Sequence, residues 1–156
     1  MDEWIEQDFM IMIEPEDCEA YKMPEGVLLI GRADQFASQG FVDIDPGKTL
    51  PPRSRSAPGS LKQMAGESIV TISGEQKILK TGDSIPIPLG TEYSIQNPTQ
   101  GKCVVYWKFS GDVSEVFLKM MKELPKLPFQ AREKSGYKDM FEDHKKRQEE
   151  LQGNRK

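Results

Sequence analysis

Histidine is almost missing from this chain of 156 residues, which holds one, His144. A three-histidine metal centre therefore cannot be built within one copy of the chain. With no Gly-x-Ser-x-Gly elbow and no glycine-rich Lys-Ser/Thr loop, no nucleophilic triad or nucleotide cradle is recognisable either. Cysteine is scarce as well: Cys18 and Cys103 lie far apart with no CxxC spacing, so neither a disulfide framework nor a zinc site is expected. Long apolar runs are absent. The longest, Val27 to Ile30 and Cys103 to Trp107, are strand-sized, far below the roughly 20 residues that cross a bilayer. The first residues, Met1-Asp2-Glu3-Trp4-Ile5-Glu6, are acidic where an export signal would be basic, so a cytoplasmic location and no membrane association are expected. Nor is there an excess of positive charge. The net charge is −4, with nine carboxylates against Lys22 in residues 1–30, and binding to nucleic acid is not expected.

What is present is a series of short β-type runs broken by turn residues, the pattern of an all-β sandwich or barrel. The runs are Phe9 to Ile13, Val27 to Ile30, Phe41 to Ile44, Ser68 to Ile72, Gln76 to Leu79, Ser84 to Ile87, Tyr93 to Gln96 and Cys103 to Phe109. Ser73-Gly74-Glu75 reads as a hairpin turn. After Gly111 the period changes. Val113, Val116, Phe117, Met120, Met121 and Leu124 follow helical spacing, Ser110 or Asp112 can cap the start, and Pro125 stops the helix. A second helical stretch begins near Ser135, where Tyr137, Met140, Phe141 and His144 share a face; His144 reads there as a surface or packing residue. Trp107, in step with Val105 and Phe109, is the better core candidate than Tyr106, which points to the opposite face.

The most specific pattern runs from Gly82 to Asn97. A glycine, five residues, Pro88-Leu89-Gly90, two residues, Tyr93, three residues and Asn97 reproduce the second cupin motif, with tyrosine in the family's histidine position. The first cupin motif falls on Gly47, Arg53, Arg55, Gly59 and Gly66 with correct spacing, though only the glycines agree. Over roughly residues 40–109 the chain thus resembles the cupin superfamily. The resemblance implies an all-β fold, a double-stranded β-helix or cupin jelly-roll barrel, with C-terminal α-helices. It divides the chain into an acidic N-terminal arm with strands joining the barrel (1–35), a barrel core (36–110), a helix packing on it (111–124) and a linker with a charged C-terminal helix or tail (125–156).

In that family two histidines, a glutamate and a third histidine bind one divalent metal, and these positions here are Arg53, Arg55, Gly59 and Tyr93. Arginine has no lone pair to give, glycine has no side chain, and a phenol is a poor ligand near neutral pH. No metal and no other cofactor is expected. If the family register holds, Arg53, Arg55, Gln63 and Tyr93 project into the barrel. Two guanidinium groups in one cavity suit a carboxylate or phosphate, with Tyr93 and Gln63 orienting the ligand. The plainer readings are that Ser54 to Gly59 is a solvated loop whose arginines reach water, and that Tyr93 is a core aromatic. Metal-free cupins serve as ligand-sensing domains, as dimerisation modules such as the cupin domain of centromere protein C, and as epimerases that use a barrel histidine. The resemblance therefore implies a metal-independent binding or dimerisation module, possible ligands being small anions or polar molecules, with a homodimer expected. The alternative is an isomerase-, epimerase- or lyase-like enzyme acting on a small organic acid or sugar derivative.

Overall fold

Strands that alternate apolar and polar residues need one covered face, whereas a strand apolar at every position needs two. Val104 to Phe109 is of the second kind, and it lies at the centre of the larger sheet. The computed structural model describes residues 17–127. The strands are β1 (Glu19–Met23), β2 (Gly26–Ala33), β3 (Ala37–Ile44), β4 (Thr49–Arg53), β5 (Gly59–Ala65), β6 (Glu67–Ile72), β7 (Glu75–Lys80), β8 (Ser84–Ile87), β9 (Tyr93–Gln96) and β10 (Val104–Ser110). They are followed by the helix α1 (Ser114–Glu123). A six-stranded sheet in the order β1-β2-β3-β10-β5-β8 faces a four-stranded sheet in the order β4-β9-β6-β7. Every strand pair is antiparallel, so the expected all-β jelly roll with a helix behind it is the fold found. The first expected strand, Phe9 to Ile13, and the helix expected from Ser135, with His144, lie outside the described residues.

Three strands were not expected from the sequence. β4 contains Pro51-Pro52, which argues against a strand but is tolerated on a sheet edge, and β4 is the edge strand beside β9. β5 opens on Gly59 and carries Lys62 and Gln63, yet most of its side chains are buried because β10 and β8 flank it. β1 mixes Glu19 and Lys22 with apolar residues. It is held by β2 on one side and on the other by the Lys22 N–H to Pro125 C=O and Leu127 N–H to Ala20 C=O bonds. The β6–β7 turn matches expectation: Ser73 and Gly74 both have positive φ, the two-residue hairpin geometry whose twist suits antiparallel strands.

The interior between the sheets is filled by Leu28, Val42, Leu61, Val70, Ile87, Ile95, Val105, Trp107 and Phe109, with Val113 and Phe117 delivered by α1. A second buried cluster, with Leu29, Phe41, Met64, Val104 and Tyr106, lies on the other face of the larger sheet. Tyr106 is therefore as buried as Trp107, and its hydroxyl donates to Gln39 Oε1. Choosing one core residue of that pair was mistaken, because β10 is covered on both faces. α1 begins at Val113, which has no side chain able to cap; Asp112 Oδ1 accepts the Ser114 N–H at 3.2 Å instead. Leu124 is extended ahead of Pro125, which ends the helix as expected.

Asn97 explains one of the spacing rules read from the sequence. Its side chain is wholly buried and uses all of its hydrogen-bonding capacity. Nδ2 donates to Ile44 O at 2.9 Å and Gly101 O at 3.0 Å, and Oδ1 accepts from the Thr99 N–H and hydroxyl. It ties the loop before β10 to the end of β3. Asn97→Ala strips partners from buried backbone groups and should lower the unfolding free energy by about 3 kcal/mol in urea denaturation. A loss under about 1 kcal/mol would show that the loop holds itself.

Candidate functional site

Alternation along β9 and β10 sends Tyr93, Ile95, Val105, Trp107 and Phe109 to one interior, and the cavity of interest lies where these strands meet α1. Tyr93 sits opposite Arg53 in the β4–β9 ladder. Arg55 is not on that strand. β4 stops at Arg53, and the following loop is tied back by a Gly90 N–H to Arg55 C=O bond of 3.1 Å. The Pro88-Leu89-Gly90 turn thus has a direct part in placing Arg55, and Gly90 turns with φ +71, a conformation open to glycine. The two arginines share a cavity for this reason and not through the strand parity expected from the sequence.

The cavity measures about 30 Å³ and is lined by Arg53, Arg55, Tyr93, Trp107, Phe109 and Phe117 over a floor of Leu50, Leu61 and Ile95. Space of that size holds a water molecule, so an organic ligand enters only if lining side chains move. The Arg55 guanidinium carbon lies 5.4 Å from the centre of the Phe117 ring and 5.9 Å from that of Phe109, cation–π distances on two rings at once. Phe117 in turn stacks flat on Trp107, with ring centres 4.5 Å apart and planes 4° from parallel. The Tyr93 hydroxyl is within hydrogen-bonding reach of Arg55. Burial raises the Tyr93 phenol above its ordinary value although both arginines pull it down. Burial likewise lowers Arg55, as does the charge of Arg53, against the pull of Tyr93. Tyr93 is thus a neutral hydroxyl, and an arginine keeps its charge throughout the physiological range.

Three buried polar atoms near this cavity have no hydrogen-bond partner among the described residues: Arg55 Nε, Trp107 Nε1 and Ser38 Oγ. Trp107 and Arg55 line the cavity, and Ser38 faces Phe109 across the β3–β10 ladder. Among the described residues no carboxylate lines the cavity. Gln63 does not join the arginines. It is buried at the other end of the interior, where its Nε2 donates to Ala65 O at 2.8 Å and to Cys103 Sγ, and its Oε1 accepts from Ser68 Oγ at 2.6 Å. With both ends engaged it serves structure, which corrects the expectation that it orients a ligand. Burial raises the Cys103 thiol above its ordinary value, opposed by Gln63.

The metal of the cupin family does not fit these residues. Two guanidinium groups, a glycine and a neutral phenol offer no ligand set, and among the described residues no group of three or more His, Cys, Asp or Glu could hold a metal. The glutamate position is moreover closed. A Cβ on Gly59 would lie 2.4 Å from Phe109 Cδ1 and 2.6 Å from Lys108 O, so Phe109 occupies the space a carboxylate would need. Nothing in the local sequence pattern signals this, nor the stacking of Phe117 on Trp107. The alternation of Trp107 and Phe109 with a helical phenylalanine soon after was the one available hint of an aromatic wall.

No protein-family model matches the chain, and no curated protein matches it in sequence. Solved structures do. An RmlC-like cupin from Shewanella frigidimarina is 19% identical over 65% of this chain and 90% of its own, with a TM-score of 0.58. KdgF from Halomonas sp. is 17% identical over 66% of this chain and 94% of its own, with a TM-score of 0.55. The CENP-C cupin domain of Drosophila melanogaster is 26% identical over 58% of this chain and 71% of its own, with a TM-score of 0.53.

A charge kept half-buried without a carboxylate is a cost that folding alone would not select. Arg55→Met, of similar length and able to pack on the same rings, should hold stability within about 1 kcal/mol of the parent in urea denaturation. A loss above about 2 kcal/mol would make Arg55 a structural residue.

Proposed function

We propose, from the premise that this chain has a cupin fold with other residues in the metal-ligand positions, that it is a metal-independent binding module for a small anionic ligand. The observation that carries the proposal is Arg55: a cation in a cavity to whose lining the described residues supply no carboxylate. A ligand carboxylate or phosphate is the partner such a guanidinium fits best, through a fork of parallel N–H···O bonds. Arg53 adds a second positive charge at the rim, and the Tyr93 hydroxyl can donate to the same group or hold Arg55 in place. Binding is favoured over catalysis by the same lining. It offers no histidine and no carboxylate to move a proton, and Tyr93, raised by burial, is a weak acid and a poor base.

Titration calorimetry of the whole chain against small organic acids, sugar phosphates and their uncharged analogues tests the proposal. The charged ligands should bind and the neutral ones should not. Arg53→Ala/Arg55→Ala should weaken binding by roughly 100-fold, the loss of charge-assisted bonds. Full affinity in the double variant, or neutral analogues that bind as well as the acids, would contradict it.

A further inference from the structure

The cavity beside Arg55 is too small for an organic ligand as it stands, and Phe117 is among the side chains that line it. Phe117 is the one buried residue of α1, and it lies flat on Trp107 beside the Arg55 guanidinium. We propose that Phe117 stands in the ligand's place, and that the natural ligand is an aromatic carboxylate whose ring takes over the stack on Trp107 while its carboxylate meets Arg55. This rests on the anion-binding reading and specifies its ligand class.

Four features support it. Trp107 presents a face that accepts a planar ring in parallel, as Phe117 demonstrates. The walls a ring would touch, Leu50, Leu61, Ile95 and Phe109, are apolar, so only the Arg55 end needs polar atoms. Among the described residues Arg55 Nε has no hydrogen-bond partner, and neither do Trp107 Nε1 and Ser38 Oγ, on two side chains more than nine-tenths buried. Carboxylate oxygens can accept from Arg55 Nε as well as from Tyr93.

The fourth is the ease with which α1 can leave. A helix of 10 residues without a capping side chain is marginal alone. Among the described residues its other flank is not close-packed: a groove of about 300 Å³ lies between Leu118 and Met121 of α1 and Ile30 to Ala33 of β2. The helix therefore has room to shift once Phe117 is displaced, and the preceding Gly111, at φ +142, is a backbone position suited to a hinge. A ligand moves such a helix only by its preference for the open state, which the ring supplies by replacing Phe117 on Trp107.

Benzoate, acetate and benzyl alcohol are the probes, read by calorimetry and by amide hydrogen exchange of Ser114–Glu123. Benzoate should bind the wild-type chain at least roughly tenfold more tightly than acetate, and benzyl alcohol should not bind. Benzoate should speed exchange in α1 and acetate should not. Phe117→Ala should bind benzoate roughly tenfold more tightly than wild type, since nothing need be displaced, with Phe117→Leu as the milder variant should alanine not fold. If both acids bind through Arg55 with equal affinity, or benzoate binds without changing α1 exchange, the ring-for-Phe117 proposal falls and the anion site stands. If neither acid binds wild type or the Phe117 variants, or Arg55→Met binds benzoate as well as the parent does, the anion site falls with it. Benzyl alcohol matching benzoate on Phe117→Ala would likewise reduce the site to an apolar hole.

Discussion

Arg55 carries a charge that arginine does not give up near neutral pH, and its guanidinium lies half-buried among Tyr93, Phe109 and Phe117 with no carboxylate in the same cavity. Much of the site's architecture follows from holding that charge. The Gly90 N–H pins the Arg55 carbonyl, two aromatic faces offset part of the lost hydration, and the Tyr93 hydroxyl stands within reach of the guanidinium. Among the described residues Nε has no partner. A group so held is already oriented for an incoming anion, so binding need not order a flexible side chain first.

The scaffold and the chemistry of this chain separate cleanly. Glycine, proline and asparagine at motif spacing set turns: Gly90 at the end of the β8–β9 connection, Asn97 tying the loop before β10 to β3. These residues serve turns and packing, so the fold does not need metal ligands. At Gly59 even a Cβ would meet Phe109 and the Lys108 carbonyl of β10, so the position has no room for a side chain unless β10 moves. Structural likeness to solved cupin structures, at identities from 17% to 26%, accordingly speaks to the fold of this chain and leaves its ligand to its own residues.

The sequence made legible those elements whose local pattern agrees with their environment. β6 to β10 alternate or run apolar between turn residues, and α1 repeats at helical spacing up to Pro125. β4 and β5 were hidden because Pro51-Pro52, Gly59 and Lys62 contradict a strand locally, and only pairing with β9, β8 and β10 overrides them. Three of the four expected site residues do meet, but Arg55 arrives by a loop pinned to Gly90, a long-range bond that parity cannot show. Gln63 points inward as parity requires, yet at the wrong end, where Ser68, Ala65 and Cys103 use up its amide. The closing role of Phe117 could not be read, since a helical apolar residue looks the same whether it fills a core or caps a cavity.

The most direct test of an anion site centred on Arg55 is to follow the Arg55 Nε–H itself by nitrogen-15 NMR during a carboxylate titration. A slowly exchanging Nε–H that moves downfield and saturates with the ligand's binding curve is the result predicted. An Arg55 resonance unmoved while a bound carboxylate shifts other residues would contradict the account.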